Sequence, residues 1–237
     1  MFSGIVKEIG TIKNLESKNG ILELTISSNQ IIKDLEVGGS IAINGCCQTV
    51  THVIASPFAS LRVNSAKQSH NRDNKSEIAS SGKALLAMTS IFKVQATEET
   101  LQKTNFRFLT IGSKVNLESS IKLGENIDGH LVSGHVDTTG EVSDILLSGE
   151  NTIIKISYSN EYGKYIAPKG SIAVNGVSLT VIKSKNGKFD FSLIPFTRDN
   201  TNLGLIKIGD LVNLEVDLIS RYVVNLLENE RQETSLK

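Results

Sequence analysis

The chain has no net charge: its 237 residues carry 25 lysines and arginines against 25 aspartates and glutamates. Nucleic acids and anionic membrane surfaces attract an excess of basic charge, so neither is expected as a partner. Long apolar runs are missing too; none reaches the roughly 18 residues of a spanning helix. The opening MFSGIVKEIG lacks the basic start and apolar stretch of a secretion signal. The sequence reads as soluble and cytoplasmic. Cysteine is scarce, and the only two, Cys46 and Cys47, are adjacent. Neighbours on a strand face opposite ways, which excludes a framework disulfide and a multi-cysteine metal site. The histidines His52, His70, His130 and His135 are scattered, and HxxxxH without a helix signal is a poor metal pattern. No metal is expected. A Gly-rich phosphate loop, a nucleophile elbow and HExxH are all absent. There remains a chain long enough for one large or two small cores, suited to small neutral or modestly charged ligands.

What is present is a repeat. GGSIAINGCCQTV at 38–50 returns as KGSIAVNGVSLTV at 169–181, with Ser40 on Ser171 at an offset of 131. Ser3-Gly4-Ile5-Val6 matches Ser133-Gly134-His135-Val136 at an offset of 130. Thr104-Asn105 and Val115-Asn116-Leu117-Glu118 match Thr201-Asn202 and Val212-Asn213-Leu214-Glu215 at an offset of 97. The fall in offset places an insertion of 34 residues between Thr49 and Thr100 of the first copy. The stretch 64–83, NSAKQSHNRDNKSEIASSGK, is the candidate: its only sizeable apolar residue is Ile78. It buries too little to offset its ordering entropy and reads as a surface loop, with a lid or partner-binding role as the alternative.

In each copy, apolar residues alternate along Ile41/Ile43 and Ile172/Val174, and Asn-Gly follows, the signal for a two-residue hairpin turn. Short alternating strands with glycine punctuation predict a small antiparallel barrel per copy, over 1–122 and 123–218, in an all-β fold. Helices look scarce except in the tail at 219–237. There Ile219, Val223, Leu226 and Leu227 share one helical face, and Arg221, Glu228 and Arg231 lie elsewhere. Such a helix needs an apolar surface to cover, either its own barrel or another subunit.

MFSGIV, SIAINGCCQTV, GHLVSGHVDTTGEV, KGSIAVNGVSLTV, LIPFT and TNLGLIKIGDLVNLEVD together resemble the riboflavin synthase family, alpha-chain type, over nearly the whole chain outside the insertion. The resemblance implies two Greek-key six-stranded barrels from an internal duplication, a C-terminal helix and a homotrimer. It also implies dismutation of two molecules of 6,7-dimethyl-8-ribityllumazine to riboflavin and 5-amino-6-ribitylaminouracil, without metal or cofactor. Association with lumazine synthase is a further partner that it suggests. Two identical reactants call for two similar pockets, which a duplicated barrel supplies, and much of the acceleration is expected from orientation.

Comparison of the halves sorts the residues. Ser40 equals Ser171, Thr49 equals Thr180 and Thr100 equals Thr197, as expected of two pockets for one type of ring. Cys46 falls on Val177 and is expected in the core, whereas Cys47 falls on Ser178. Through the resemblance, Cys47 and Ser178 are substrate-contacting, and Cys47 is a candidate for nucleophilic or hydrogen-bonding help; otherwise it is a small hydrophobe. His135 falls on Ile5, so one half alone carries an imidazole there, and the resemblance puts it in the active site, where a group titrating near neutrality suits proton transfer. His130 is left as structural. Lys169 and Asp217 fall on Gly38 and Ser120. Both match family site positions, with a solvated surface pair as the alternative. His135, Cys47, Ser178, Ser40, Lys169 and Asp217 are thus the catalytic candidates.

The segments matching the family's substrate contacts are Gly4-Ile5-Val6, Cys47-Gln48-Thr49, Gln95-Ala96-Thr97-Glu98-Glu99-Thr100, Gly134-His135-Val136, Ser178-Leu179-Thr180 and Ser192-Leu193-Ile194-Pro195-Phe196-Thr197. Phe2 either closes over a ring or is a buried strand-start aromatic. The productive site is expected between the N-terminal barrel of one subunit and the C-terminal barrel of a neighbour. Four features depart from the family: Gln48 for the usual Leu, Asn175 for a frequent Asp, the insertion, and Gln95-Ala96-Thr97-Glu98 in place of an apolar-rich strand. Gln48 shares the Cys46 face, so in a core its amide needs partners. The rival function is a non-catalytic lumazine- or flavin-binding protein of the antenna type. A flavin-dependent reductase needs a nucleotide-binding domain for which no length is left.

Overall fold

The computed structural model describes residues 1–54 and 90–235, so the expected loop at 64–83 lies outside the described residues. Twelve strands form two closed antiparallel barrels of six. The first contains β1 (Glu8–Lys18), β2 (Ile21–Ser27), β3 (Ser40–Ile43), β4 (Cys46–Ile54), β5 (Ile91–Ala96) and β6 (Lys114–Ser119). The second contains β7 (Thr138–Ser148), β8 (Asn151–Ser157), β9 (Ser171–Val174), β10 (Val177–Lys185), β11 (Lys188–Leu193) and β12 (Leu211–Val216). Both barrels have the same order round the wall, β1-β2-β5-β4-β3-β6 and β7-β8-β11-β10-β9-β12. The copies agree down to their bulges, which fall between Ile12 and Asn14 and between Val142 and Asp144, and again between Val50 and His52 and between Val181 and Lys183.

Period-two alternation fills each barrel. Ile12, Leu24, Ile26, Ile41, Ile43, Phe92 and Leu117 are buried in the first, and Val142, Ile154, Ile156, Ile172, Phe189, Phe191 and Leu214 in the second. The Asn-Gly pairs make the hairpin turns expected of them, with both central residues at positive φ: 46° and 76° at Asn44-Gly45, and 46° and 78° at Asn175-Gly176.

Those two turns meet. A Cβ on Gly45 would lie 2.6 Å from the Gly176 nitrogen, and the reverse contact is also 2.6 Å, so the barrels touch backbone to backbone. Three asparagines from each copy tie the seam. The Asn116 amide donates to the Asn175 carbonyl at 2.9 Å and the Asn213 amide to the Asn44 carbonyl at 2.8 Å. The backbone N–H of Asn105 donates to Asn213 Oδ1 and that of Asn202 to Asn116 Oδ1, both at 2.7 Å. These polar groups are buried, and reciprocal pairing offsets the desolvation that burial costs.

The segments ahead of β1 and β7 cross the seam as well. Phe2 and Val132 exchange backbone hydrogen bonds of 2.8 and 3.1 Å, forming a bridge between the copies. Phe2 is fully buried there with Ala42, Val132 and Ala173.

Two short helices follow the fifth strand of each barrel, α1 (Glu98–Lys103) and α2 (Pro195–Asn200). Gln95 and Ala96 end β5, and the chain then turns at Thr97, whose hydroxyl caps the Thr100 N–H. The tail forms α3 (Leu218–Ser235). Its charged side faces its own barrel through Arg221 to Asp137 and Lys164 to Glu228, which leaves Ile219 and Leu226 about two-thirds exposed, at 66% and 64%. Among the described residues no helix is long and apolar enough to cross a membrane.

Candidate functional site

Each barrel wall is incompletely zipped. The β4–β5 ladder runs from Ile54↔Ile91 to Val50↔Val94, although β4 continues back to Cys46 and β5 on to Ala96. In the second barrel the β10–β11 ladder stops at Val181↔Phe191, although β10 begins at Val177 and β11 ends at Leu193. Val50 donates its N–H to Gly39 on the β3 side. By the alternation of antiparallel pairing, Cys47 and Thr49 turn their backbone groups away from β3 into the gap. The result is a slot in each wall, with backbone donors and acceptors on its lips.

The other barrel reaches into each slot. Cys47 N–H donates to the Gly134 carbonyl at 2.8 Å, and Ser178 N–H donates to the Gly4 carbonyl at 2.8 Å. Val136 packs on the first core and Val6 on the second. Two buried carboxylates hold these arms. Glu118 accepts from Ser3 N–H at 2.7 Å and Gly4 N–H at 3.2 Å; Glu215 accepts from Ser133 N–H at 2.6 Å and Gly134 N–H at 2.9 Å. Burial raises the pKa of both above the ordinary carboxylate value, although the hydrogen bonds pull it down. Neither slot is complete without both halves of the chain.

The first slot gathers Cys47, Gln48, Thr49, Gln95, Ala96 and the start of α1 with Gly134, His135 and Val136. Ser40 pairs across the strands with Thr49. Cys46, Gln48 and Val50 point inward, while Cys47 is half-buried and Thr49 exposed. Burial pushes the Cys46 thiol up to about 12, which removes it as a nucleophile and supports its expected place in the core. Cys47 packs beside the Phe2 cluster. His135 is exposed, and its N–H donates to Ser133 Oγ at 3.2 Å. The Gln48 amide does find partners: Nε2 donates to the Cys47 carbonyl at 2.8 Å and to Cys46 Sγ at 3.3 Å, while Oε1 is buried with no partner.

The second slot gathers Ser178, Leu179, Thr180 and Ser192 to Thr197 with Gly4, Ile5 and Val6. Lys169 enters at its end, its N–H donating to the Val181 carbonyl at 2.8 Å. It holds φ +65° where the first copy has Gly38 at +87°, a backbone strain of about 1 kcal/mol for a side-chain-bearing residue. The β9–β12 register of Val216↔Ile172 brings Asp217 alongside Ser171, and Asp217 also starts α3 by accepting from Ile219 N–H at 2.9 Å.

His130, left out of the candidates, has its Nδ1 2.7 Å from Ser178 Oγ, beside one of them. Burial lowers its pKa and the Asp217 charge opposes that, leaving a neutral ring beside a hydroxyl. The lips differ as well. Thr97, Glu98 and Glu99 border the first slot, where Ile194, Pro195 and Phe196 border the second, with Ile194 51% and Phe196 74% exposed. A separate cavity of about 610 Å³ on the asparagine seam, lined by Asn105, Phe108 and Leu205 among others, contains none of the expected site residues.

The lumazine binding domain family model matches residues 3–120 and again 133–217. A riboflavin synthase of Buchnera aphidicola subsp. Baizongia pistaciae is 36% identical over 96% of this chain and 92% of its own length. That of Actinobacillus pleuropneumoniae is 33% identical over 96% and 90%, and that of Bacillus subtilis 33% over 100% and 96%. Among solved structures, LumP complexed with riboflavin superposes with a TM-score of 0.72 at 21% identity, covering 91% of this chain and 99% of that one, a likeness of fold.

Proposed function

The chain belongs to the lumazine-binding family that includes the riboflavin synthases, and from that premise we infer that it is a riboflavin synthase: it dismutates two molecules of 6,7-dimethyl-8-ribityllumazine. One molecule gives up a four-carbon unit and leaves as 5-amino-6-ribitylaminouracil; the other receives the unit and becomes riboflavin. Atoms and electrons balance between the two substrates and the two products, with no added oxidant or reductant.

The observation that carries this reading is the pair of equivalent slots, each lined with outward-turned backbone groups suited to the polar edge of a pyrimidinedione. Ring methyl protons must be removed and a nucleophile must add to the donor ring. His135 at the first slot serves as proton carrier, and His130 orients the Ser178 hydroxyl at the second through their 2.7 Å hydrogen bond. Cys47, Ser40, Lys169 and Asp217 place ring and ribityl oxygens. In this reading the protein is cytoplasmic and trimeric, and the exposed Ile219, Tyr222, Val223 and Leu226 of α3 form the subunit contact. That contact turns the first slot of one subunit toward the second slot of its neighbour.

The test is incubation with 6,7-dimethyl-8-ribityllumazine alone, followed by product chromatography. Riboflavin at half the molar amount of substrate consumed is expected. Ligand that binds and stays unchanged would overturn the enzyme reading in favour of a chromophore carrier.

A further inference from the structure

Gln48 is the one inward-facing slot residue that differs in polarity between the copies. Its counterpart Leu179 carries only methyl groups to the same place on the second barrel. The Gln48 amide turns back on its own strand and takes the Cys47 carbonyl at 2.8 Å, a group that the register aims into the first slot. It does so with Oε1 buried and unpartnered, a cost of the kind that leucine avoids. The outer lips differ in the same direction: Glu98 and Glu99 stand where the second slot offers Pro195 and the exposed ring of Phe196. One slot thus has a lip acceptor already occupied and an acidic rim; the other has that acceptor clear of any side-chain amide and an apolar rim for a flat ring.

We propose that Gln48 is a specificity-determining residue that makes the N-terminal slot the weaker of the two, so that ligand fills the C-terminal slot first and the N-terminal slot second. The proposal rests on the reading of both slots as lumazine and flavin sites. A ring N–H arriving at the first slot competes with the Gln48 amide for the Cys47 carbonyl, whereas at the second slot the Ser178 carbonyl has no such rival.

Riboflavin, the unreactive product, is the probe, titrated calorimetrically into the full-length chain. Wild type is expected to show two unequal classes of site. In Gln48→Leu the weaker class tightens about five-fold, the worth of one neutral hydrogen bond, and the tighter class is unchanged. Gln48→Met, which fills the same volume without an amide, gives the same shift, and Leu179→Gln weakens the tighter class instead. Thermal melting checks that each variant folds. Two equal classes in wild type, a single ligand per chain in both wild type and Gln48→Leu, or a shift confined to the tighter class would each overturn the proposal. Turnover of the lumazine is scored separately. Unequal sites that respond to Gln48 without turnover sink the enzyme reading and leave this one standing; turnover with Gln48-independent binding does the reverse.

Discussion

The two barrels share their strand order, bulges, hairpin turns and buried carboxylates, yet differ at the slots each opens in its wall. Where they agree, the residues serve the seam: Asn44 with Asn175, Asn116 with Asn213, Glu118 with Glu215. Where they disagree, the residues lie at the slots: His135 against Ile5, Lys169 against Gly38, Gln48 against Leu179, Phe196 against Glu99, although Thr49 and Thr180 are alike there. Symmetry is retained where two surfaces must fit each other and lost where two identical molecules must be treated differently.

The comparison matters to catalysis only if unlike slots face each other across subunits. Ile219→Glu combined with Leu226→Glu should release monomers in analytical ultracentrifugation and lower turnover more than about 100-fold, because two charges would then enter an apolar contact. Retained turnover in monomers would place both reactants on one chain. Gly45→Ala and Gly176→Ala probe the symmetric part. Each puts a methyl 2.6 Å from the opposite backbone nitrogen at a positive φ, and each should cost about 3 kcal/mol in denaturant unfolding. Unequal losses would break the two-fold correspondence at the seam.

His135→Ile makes the arms of the two slots alike. Its side chain is exposed, so melting should hold while kcat falls about ten- to a hundred-fold, the lower range for a proton-transferring group. The smallest effect belongs to His130. Its pKa in the folded chain is depressed below 6.5, so the stability linked to its neutral form is present above pH 6.5 and is lost as pH falls through the folded value. Glu118 and Glu215, raised from 4.5, act in the opposite sense, since stability linked to their protonated forms is lost as pH rises through their folded values. The difference between wild type and His130→Gln isolates the histidine. The variant should lose the part of the acid-side decline that begins below pH 6.5. An unchanged slope would remove burial of that ring as its cause.

Much of this was legible before the fold was known. The Asn-Gly hairpins followed from turn chemistry, and strand parity put Cys46 and Gln48 inside and Cys47 outside, as the burial pattern has them. The rest depended on facts that no local pattern carries. The slots arise because two ladders stop early, and side-chain alternation does not record where pairing ends. His130 has no counterpart in the first copy, so comparing halves had nothing to say about it. The helices α1 and α2 are six residues each, too short for a periodicity, although Thr97 before two glutamates and Pro195 at a helix start are cap signals that mark them. In the tail the apolar face was found correctly, but the surface that its charged side meets was not: Asp137 and Lys164 are remote in sequence from Arg221 and Glu228.

The bridge between Phe2 and Val132 bears on synthesis as well as on structure. A ribosome adding roughly 5–20 residues each second needs on the order of ten seconds between making the two partners. The first barrel can close its own wall only once β6 is made, shortly before Val132, and until then Phe2 has no Val132 to lie against and Cys47 no Gly134 carbonyl to reach. The emerging chain therefore carries a bare aromatic and an unpaired edge until Val132 and Gly134, at the start of its second half, have been made. A transcript cut short anywhere in between yields a product whose exposed surface favours aggregation, which makes the timing of the second copy part of what protects the first.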